Sequence, residues 1–494
     1  MNNYEYLSDS VHATLAELSM KSDPLQLAET LASKLREPFS LHVLWQYRPF
    51  LHKLPDHILN QYPSLLTAAS IIAAFEGDEA KSTAYFNNLP IRGYYRIYAK
   101  LASPFTTWPD YISAARLLVA EQAGPVPNLS ITAGRPYIIN GFRDFTVTLD
   151  KLSHTSDQSI HLFESLYGPR SRTALTVALA EAQYMRDERF EALASVVGTI
   201  PFLTQDADAQ ILFPALYLQM LIMVMTGQVP ALEPMMKQLR NQLHHANRSE
   251  WLPNLDALDA HSALYSGDYA KVSEWMRNAA PDEHSDFSIL DLYRYMVKLR
   301  VYIVQQKHFA FFTLSAKLLP LLQRCNRAMD ECELRMLMAI DAHARSEKDL
   351  AFSHLSRALA LAEQYRYDRL LADEGEPLLR LLLLYRKEQG STPYLSHIIS
   401  LARKTASFYP RYLKSQLPEA GALSETELIV LRFLAHGRSN SDIAELLDVQ
   451  VNTVKAHCKH IAKKLQTKNR QQAVNRAIEL GILDPILPST PFTE

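Results

Sequence analysis

The stretch VNTVKAHCKHIAKKLQTKNRQQAV, residues 451–474, contains five lysines, one arginine and no acidic side chain. Its apolar residues recur at spacings of four, three and four, the pattern of a helix with one buried side: Val454, Cys458, Ile461 and Leu465. The opposite side is polar and cationic. Because the formal net charge of the whole chain is only −2, this cationic side is a local feature, and a polyanion is its natural counterpart.

The cationic side of this helix offers short side chains near its first turn and longer ones further along. Short or polar residues can approach base edges in the major groove of a duplex, whereas lysines reach the phosphate oxygens beside it. We therefore predict that a helix beginning near the start of this stretch faces double-stranded DNA through Asn452, Lys455, Ala456, Lys459 and Lys463.

The neighbouring sequence predicts the rest of a helix-turn-helix module. RSNSDIAELLDV, residues 438–449, indicates a short helix with Ser439 or Asn440 as its N-cap. LSETELIVLRFLAHG indicates a supporting helix that begins at Ser424 as cap, with Glu427 placed to complete a capping box. RQQAVNRAIELGIL, which follows the cationic helix, indicates a fourth helix, so the region is predicted to be a four-helix module.

Many spaced residues of this module fit a single known pattern: Leu423, Ser424, Glu427, Gly437, Ser439, Asn440, Ile443, Ala444, Leu447, Thr453, Val454, Lys455, His457, Ile461, Lys464, Leu465, Arg470, Ala473 and Val474. The module resembles the C-terminal domain of LuxR-type transcriptional regulators. The resemblance implies that Thr453, Lys455 and His457 face DNA, and that the last helix can pair two domains into a dimer. It also implies an operator or promoter as partner, with RNA polymerase as a further candidate.

The residues that we expect to contact DNA combine the outward side of the helix with the positions implied by the resemblance. They are Asn440, Gln450, Asn452, Thr453, Lys455, Ala456, His457, Lys459, Lys463 and Arg470. The sequence departs from the family at three positions, with Thr426 in place of the usual arginine, Gln450 in place of serine and Thr467 in place of a branched apolar residue. Glutamine caps a helix less well than serine, which predicts a looser start of the recognition helix.

The lysines and histidines of this region have two alternative interpretations, a solvated surface and a metal site. A lysine-rich helix face is also typical of plain solvated surface, but its place inside a complete four-helix pattern favours DNA binding. His457, Cys458 and His460 suggest a metal site, yet no second cluster with ligand spacing accompanies them. Cys458 is therefore interpreted as a small core residue, and neither a metal nor a cofactor is expected.

The composition of the chain limits the class of protein to which the region before the module can belong. The 494 residues are 48% hydrophobic and 21% charged, which is typical of a globular protein with several domains or one long array. No apolar run is long enough to span a membrane, and the N-terminus lacks the order of a signal peptide. Cys325 and Cys332 lie seven residues apart on a predicted helix, which favours a reducing compartment, so a cytoplasmic protein without membrane contact is expected.

The long N-terminal part has a helical repeat. Apolar residues that follow short polar turns recur at intervals of 39, 40, 40 and 41 residues: Phe190, Val229, Tyr269, Phe309 and Leu350. A helix precedes and another follows each turn, and a similar hairpin surrounds Gly77 and Asp78. Since such a hairpin cannot bury its inner face alone, stacked hairpins are predicted to form an α-solenoid of the tetratricopeptide-like (TPR-like) type. The fold class is thus all-α.

One segment interrupts this helical pattern. Residues 122–158 concentrate proline, glycine and β-branched residues, which predicts a long structured loop. Long ordered loops often touch ligands, but the simpler interpretation, that the loop bridges a change of direction in the solenoid, is favoured. Aromatic residues of the array, such as Tyr293 near Met296, Val297 and Val301, are likewise interpreted as packing in preference to a pocket.

The sequences HLSRALALAEQYRYDRLLADEGEPLLRLL, residues 354–382, and FLHKLPDHILNQYPSLLTAASIIAAFEGDEAKSTAYFNNLP, residues 50–90, resemble the array of MalT-like regulators. Members of that class usually begin with a nucleotide-binding domain. This sequence has no GxxxxGK[ST] loop to hold phosphates, so we expect it to lack that domain and its ATP-driven switch. Control is then expected to come from a small-molecule or protein effector, or from self-association.

The sequence therefore predicts a sensor region at residues 1–409, a linker at 410–420 and a DNA-binding domain at 421–494. The expected function is sequence-specific transcriptional regulation, with an effector on the array and a dimer on DNA. An alternative is a solenoid scaffold for protein binding whose C-terminal module is vestigial. No nucleophile elbow, HExxH or glycine-rich cofactor turn is present, so no enzymatic activity is expected.

Overall fold

A computed structural model describes residues 9–35, 41–121, 135–146, 157–168, 170–203, 209–225, 232–245, 251–284, 286–408, 423, 425–447, 449–465 and 467–479. Regular structure in these ranges is helical, as predicted. The chain divides into two compact units, residues 1–264 with 268–370, and residues 265–267 with 371–494. The predicted linker at 410–420 lies outside the described residues.

The helices of the array follow one another along the chain, and many are joined in pairs by short turns. They are α1 Asp9–Ser19, α2 Pro24–Lys34, α3 Leu41–Gln46, α4 Arg48–Leu51, α5 Asp56–Leu59, α6 Pro63–Phe75, α7 Glu79–Asn87, α8 Tyr94–Ala102, α9 Trp108–Glu121, α10 Asp157–Tyr167, α11 Arg170–Met185, α12 Arg189–Leu203, α13 Ala209–Met225, α14 Leu232–His245, α15 Leu252–Ser266, α16 Tyr269–Asn278, α17 Leu292–Val304, α18 His308–Arg324, α19 Ala328–Ala344, α20 Lys348–Tyr365 and α21 Asp368–Ala372.

The remaining helices belong to the second unit. They are α22 Glu376–Gln389, α23 Pro393–Phe408, α24 Glu425–Ala435, α25 Asn440–Leu446, α26 Val451–Lys464 and α27 Arg470–Glu479. The last four pack around a common apolar core that includes Val430, Leu434, Val454 and Ile461. This arrangement confirms the predicted four-helix module.

Four turns between paired helices of the array have the same backbone conformation. Gly77, Asp187, Gln306 and Ser346 each adopt a left-handed conformation, with φ of 82°, 64°, 55° and 64°. In every one of these turns the next backbone N–H donates to the carbonyl five residues earlier at 2.9 Å, as in the Asp78 N to Ala73 O bond. The described hairpins therefore turn in the same way.

The recurrent apolar residues that the structure describes lie just after turns and do not belong to the core. Phe190 and Phe309 lie at the second residue of α12 and α18, where their side chains are 85% and 84% exposed. Val229 lies outside the described residues. The core is formed instead by helices such as α17, in which Tyr293 and Met296 are buried. Packing is therefore the correct interpretation of these α17 residues.

Residues 135–146, here called the inserted segment, lie inside the array. Ile139 and Asn140 are fully or almost fully buried. The carboxylate of Glu181 on α11 accepts the backbone N–H of Ile138 at 3.0 Å and that of Ile139 at 2.9 Å. The segment was predicted as part of a long structured loop that bridges a change of direction. Ten of its twelve residues are buried against the array, and Asp144 and Phe145 are half-buried. The rest of the predicted loop up to α10 lies outside the described residues.

Buried ion pairs hold the inserted segment at both ends. Arg135 contacts Asp330 at 2.8 Å and Glu333 at 2.7 Å, and all three side chains are almost fully buried. Arg327 contacts Asp330 at 2.7 Å and donates to the backbone carbonyl of Phe142 at 2.9 Å. Burial alone would raise the pKa of Glu333, but Arg135 and Arg300 lower that pKa to about 2. The charges therefore persist inside the array because each has an opposite partner.

Described helices contain no span that is long and apolar enough to cross a membrane. Cys325 and Cys332 are buried, unpaired thiols.

Replacement of Arg327 by Met tests the role of this network. The change removes the arginine that donates to the Asp330 carboxylate and to several backbone carbonyls of the inserted segment. We therefore expect the free energy of unfolding of the array to fall by about 3–5 kcal/mol. The urea midpoint of the array measures the loss. Arg172→Met, which removes an exposed arginine on α11, should change the midpoint little, and equal midpoints for the two variants would contradict the account.

Glu181 predicts a pH dependence. Burial raises the pKa of Glu181 to about 8 in the folded protein, although two backbone N–H donors favour its charged form. Because the folded pKa exceeds the ordinary value, this group contributes stability at low pH that is lost as pH rises toward 8. Glu181→Gln should flatten that decline in thermal unfolding measured from pH 5 to 8. An unchanged pH profile would exclude this role.

Candidate DNA-binding surface

The helix-turn-helix is formed by α25 and α26. Ser439 is the N-cap of α25, and its hydroxyl accepts the backbone N–H of Asp442 at 3.2 Å. The Asp442 carboxylate accepts the backbone N–H of Ser439 at 2.8 Å, which completes a capping box and lowers the pKa of Asp442. Of the two predicted caps, Ser439 is therefore correct, and Asn440 is the first residue of the helix.

The start of α26 agrees with the sequence. The helix begins at Val451, as predicted, and Gln450 is its N-cap without a side-chain hydrogen bond to the helix. The first turn is held only through the backbone, where the Thr453 N–H donates to the Gln450 carbonyl at 2.9 Å. The expectation that Gln450 caps poorly is confirmed.

One side of α26 is buried as the spacing predicts. Val454 and Ile461 are fully buried and Leu465 nearly so. Cys458 is half-buried, packs against the same core, and donates its S–H to Asn440 Oδ1 at 3.7 Å. The core interpretation of Cys458 is therefore correct. Among the described residues, no cluster of three or more His, Cys, Asp or Glu side chains is arranged to hold a metal.

The opposite side of α26 carries most of the predicted DNA-contacting residues. His457 is half-buried, and the others are exposed: Gln450, Asn452, Thr453, Lys455, Ala456, Lys459 and Lys463. Lys455, Lys459 and Lys463 lie four residues apart and form a row along the helix, here called the lysine row. Within the described part of the chain, no carboxylate lies at ion-pair distance from the lysine row. Among these residues, therefore, nothing compensates its positive charge.

Asn440 and Arg470 are placed differently from the other predicted residues. Asn440 is half-buried and bonded to Cys458 between α25 and α26. The Arg470 guanidinium donates to the backbone carbonyls of Leu434, at 3.1 Å, and of Arg438. These two residues join helices of the module, so a contact with DNA would come in addition to a structural role.

An ion pair that the sequence did not indicate fixes α26 against α24. Glu427 is buried, and its carboxylate accepts from Lys464 Nζ at 2.7 Å. The sequence suggested that Glu427 forms a capping box with Ser424, which lies outside the described residues. The spacing of Glu427 in its helix fits either role, and only the packing of α24 on α26 brings Lys464 close.

The weak cap at Gln450 leads to a stability prediction. A serine at this position can accept a backbone N–H of the first turn, which we expect to stabilise α26 by about 0.5–1 kcal/mol. Hydrogen exchange of the α26 backbone amides in the full chain should slow for Gln450→Ser. Gln471→Ser, an exposed change within α27, serves as control, and equal exchange rates would show that the cap does not limit the helix.

Two family models match the chain. The model described as the MalT-like TPR region matches residues 202–388, and the model described as bacterial regulatory proteins of the luxR family matches residues 421–477. The second match covers the whole helix-turn-helix described above.

Curated relatives share parts of the chain. The oxygen regulatory protein NreC of Staphylococcus haemolyticus is 45% identical over 62 residues, 13% of this chain and 29% of that protein. The transcriptional regulatory protein DesR of Bacillus subtilis is 30% identical over 95 residues, 19% of this chain and 48% of DesR. The HTH-type transcriptional regulator MalT of Cronobacter sakazakii is 26% identical over 268 residues, 50% of this chain.

The chain spans less than half the length of each of these relatives, 29% in the case of MalT. The two matched regions follow one another in the order array and then helix-turn-helix, as the sequence predicted. The chain therefore carries a region similar to the MalT-like TPR region, followed by a helix-turn-helix that matches the luxR family of bacterial regulatory proteins.

Proposed function

We propose that this protein is a sequence-specific DNA-binding transcriptional regulator. The observation that supports the proposal is the exposed lysine row of α26, which no described carboxylate neutralises. A duplex supplies the missing negative charge along a groove wide enough for one helix. The proposal gives the chain no enzymatic activity.

The placement of residues on α26 suggests how the helix reads DNA. Asn452, Thr453 and Ala456 are small or polar and exposed at the start of the helix, where base edges are reached in helix-turn-helix complexes. Lysines at 455, 459 and 463 contact phosphates and fix the register of the helix in the groove. Gln450, with no capping bond to hold its side chain, is a further polar contact at the leading end.

The array supplies control in this proposal. Residues 1–409 form the sensor, 410–420 the linker and 421–494 the DNA-binding domain, in the cytoplasm. A single domain with few phosphate contacts binds an operator weakly, so a dimer on a palindromic site raises occupancy. A small-molecule or protein effector that favours one state of the array would change the fraction of chains able to pair, and RNA polymerase is the further partner at a promoter.

The direct test compares two charge reversals in the full chain. Duplexes enriched from a random pool by the unmodified protein serve as probes in mobility-shift assays. Lys455→Glu should weaken binding at least a hundredfold, since it replaces a phosphate contact by repulsion within the row. Lys387→Glu, which reverses an exposed charge on α22, should leave the affinity within about threefold.

Two outcomes would contradict the proposal. One is failure to enrich any duplex even at low salt, which would favour the protein-binding scaffold. The other is equal affinity of the two variants for the enriched duplex, which would place the DNA contact elsewhere on the protein.

A further inference from the structure

The array contains a cleft of about 670 Å³ next to the inserted segment. Four parts of the array line it: the turn before α9, the inserted segment, the turn from α18 to α19, and one side of α20. A volume of this size is typical of sites that hold a small organic ligand. The sequence interpretation did not identify it, because its walls come from residues far apart in the chain.

Two aromatic side chains form rigid flat walls of the cleft. Trp108 is half-buried, stacks on Tyr111 with ring centroids 5.7 Å apart, and meets the Phe145 ring edge-on at 5.3 Å. Tyr365 is half-buried and stacks on Tyr367 at 5.5 Å. The Trp108 ring also stacks on Phe163 at 6.4 Å, so aromatic neighbours hold both rings in place where they line the cleft.

Charged side chains in the cleft wall favour an anion. Arg143 is buried and donates to the backbone carbonyl of Leu101 at 2.8 Å, Arg327 is buried and paired with Asp330 at 2.7 Å, and Asp144 accepts the backbone N–H of Met329 at 2.8 Å. The Glu331 carboxylate accepts from Gln323 at 3.0 Å and lies 3.5 Å from Arg335 Nε and 3.6 Å from Arg357 Nε. The wall thus holds three guanidinium groups, those of Arg143, Arg327 and Arg357, against two carboxylates, those of Asp144 and Glu331.

Arg357 is the cleft guanidinium best placed to meet a ligand. Its side chain is 51% exposed, and its closest approach to a carboxylate is 3.6 Å, to Glu331, which is too long for a hydrogen bond. Arg357, Leu361 and Tyr365 lie four residues apart on α20 and share one helix face, and the backbone positions of Arg357 and Tyr365 are about 12 Å apart along the helix axis. The exposed Asn326 amide lies at the same cleft.

We propose that this cleft binds a small organic carboxylate that carries a flat ring. The carboxylate pairs with Arg357 and accepts from Asn326, Leu361 lies beneath the connecting chain, and the ring packs against Tyr365 and Trp108. The separation along α20 favours a ring joined to the carboxylate by a short alkyl chain. This site deepens the proposed function, since it names the ligand class that the array would sense.

The cleft also places a ligand against the inserted segment. Phe142, Arg143 and Asp144 belong to that segment and line the cleft together with α19 and α20 residues. A ligand bound to α20 and Asn326 therefore lies beside the segment, and any contact that it makes with both would stabilise their packing.

Matched probes and variants test the site in the full chain. Isothermal titration calorimetry is performed with indole-3-acetate, indole-3-propionate and indole-3-butyrate, and with the corresponding neutral carboxamides. We expect at least one carboxylate to bind at least tenfold more tightly than its amide. Arg357→Gln should remove that preference and leave amide binding unchanged, whereas Tyr365→Leu should weaken binding of both. Arg277→Gln, an exposed arginine outside the cleft, is the control.

Several results would overturn the site. They are absence of binding by all three carboxylates at millimolar concentration, equal affinity for acid and amide, or an unchanged preference in Arg357→Gln. DNA binding measured on the same preparations separates the two proposals. If no carboxylate binds but the duplex does, only the proposed ligand site is wrong. If a carboxylate binds but no duplex does, the proposed DNA-binding function is wrong.

Discussion

Burial of Val454, Ile461 and Leu465 is the constraint from which the proposed function follows. These residues fix the rotation of α26 about its axis, because a helix in a small module can bury only one side. The lysine row is then presented to solvent as a geometric consequence. The Glu427–Lys464 ion pair strengthens the same orientation, since it ties the end of α26 to α24 at 2.7 Å. Positive charge that is held in place, with no carboxylate partner among the described residues, favours a polyanion as external partner.

Within the array, the corresponding constraint is the burial of the inserted segment. TPR-like hairpins ordinarily leave an inner surface open to partners, but here twelve residues with two arginines lie against that interior. Arg135 and Arg327 form ion pairs with Asp330 of α19, and all three side chains are almost fully buried. Removal of either partner therefore leaves an uncompensated buried charge. Any ligand that acts on the array must therefore act in the presence of this segment or compete with it.

Elements with local causes could be predicted from the sequence. The start of α26, its buried stripe, the weak cap at Gln450 and the hairpin spacing each depend on residues within a few turns of one another. The buried position of residues 135–146 could not be predicted, because it depends on partners such as Asp330, 190 residues from Asn140. Periodicity carries no information about such pairs. The proline and glycine content correctly indicated departure from the helical pattern, but not its direction.

The salt dependence of duplex binding by the full chain tests the central claim most directly. If the lysine row meets phosphates, the logarithm of the association constant falls linearly with the logarithm of salt concentration. The slope should be about −0.9 for each phosphate contact, hence roughly −3 for one domain and about twice that for a dimer. A slope near zero would show that the lysine row does not meet the DNA backbone and would contradict the account.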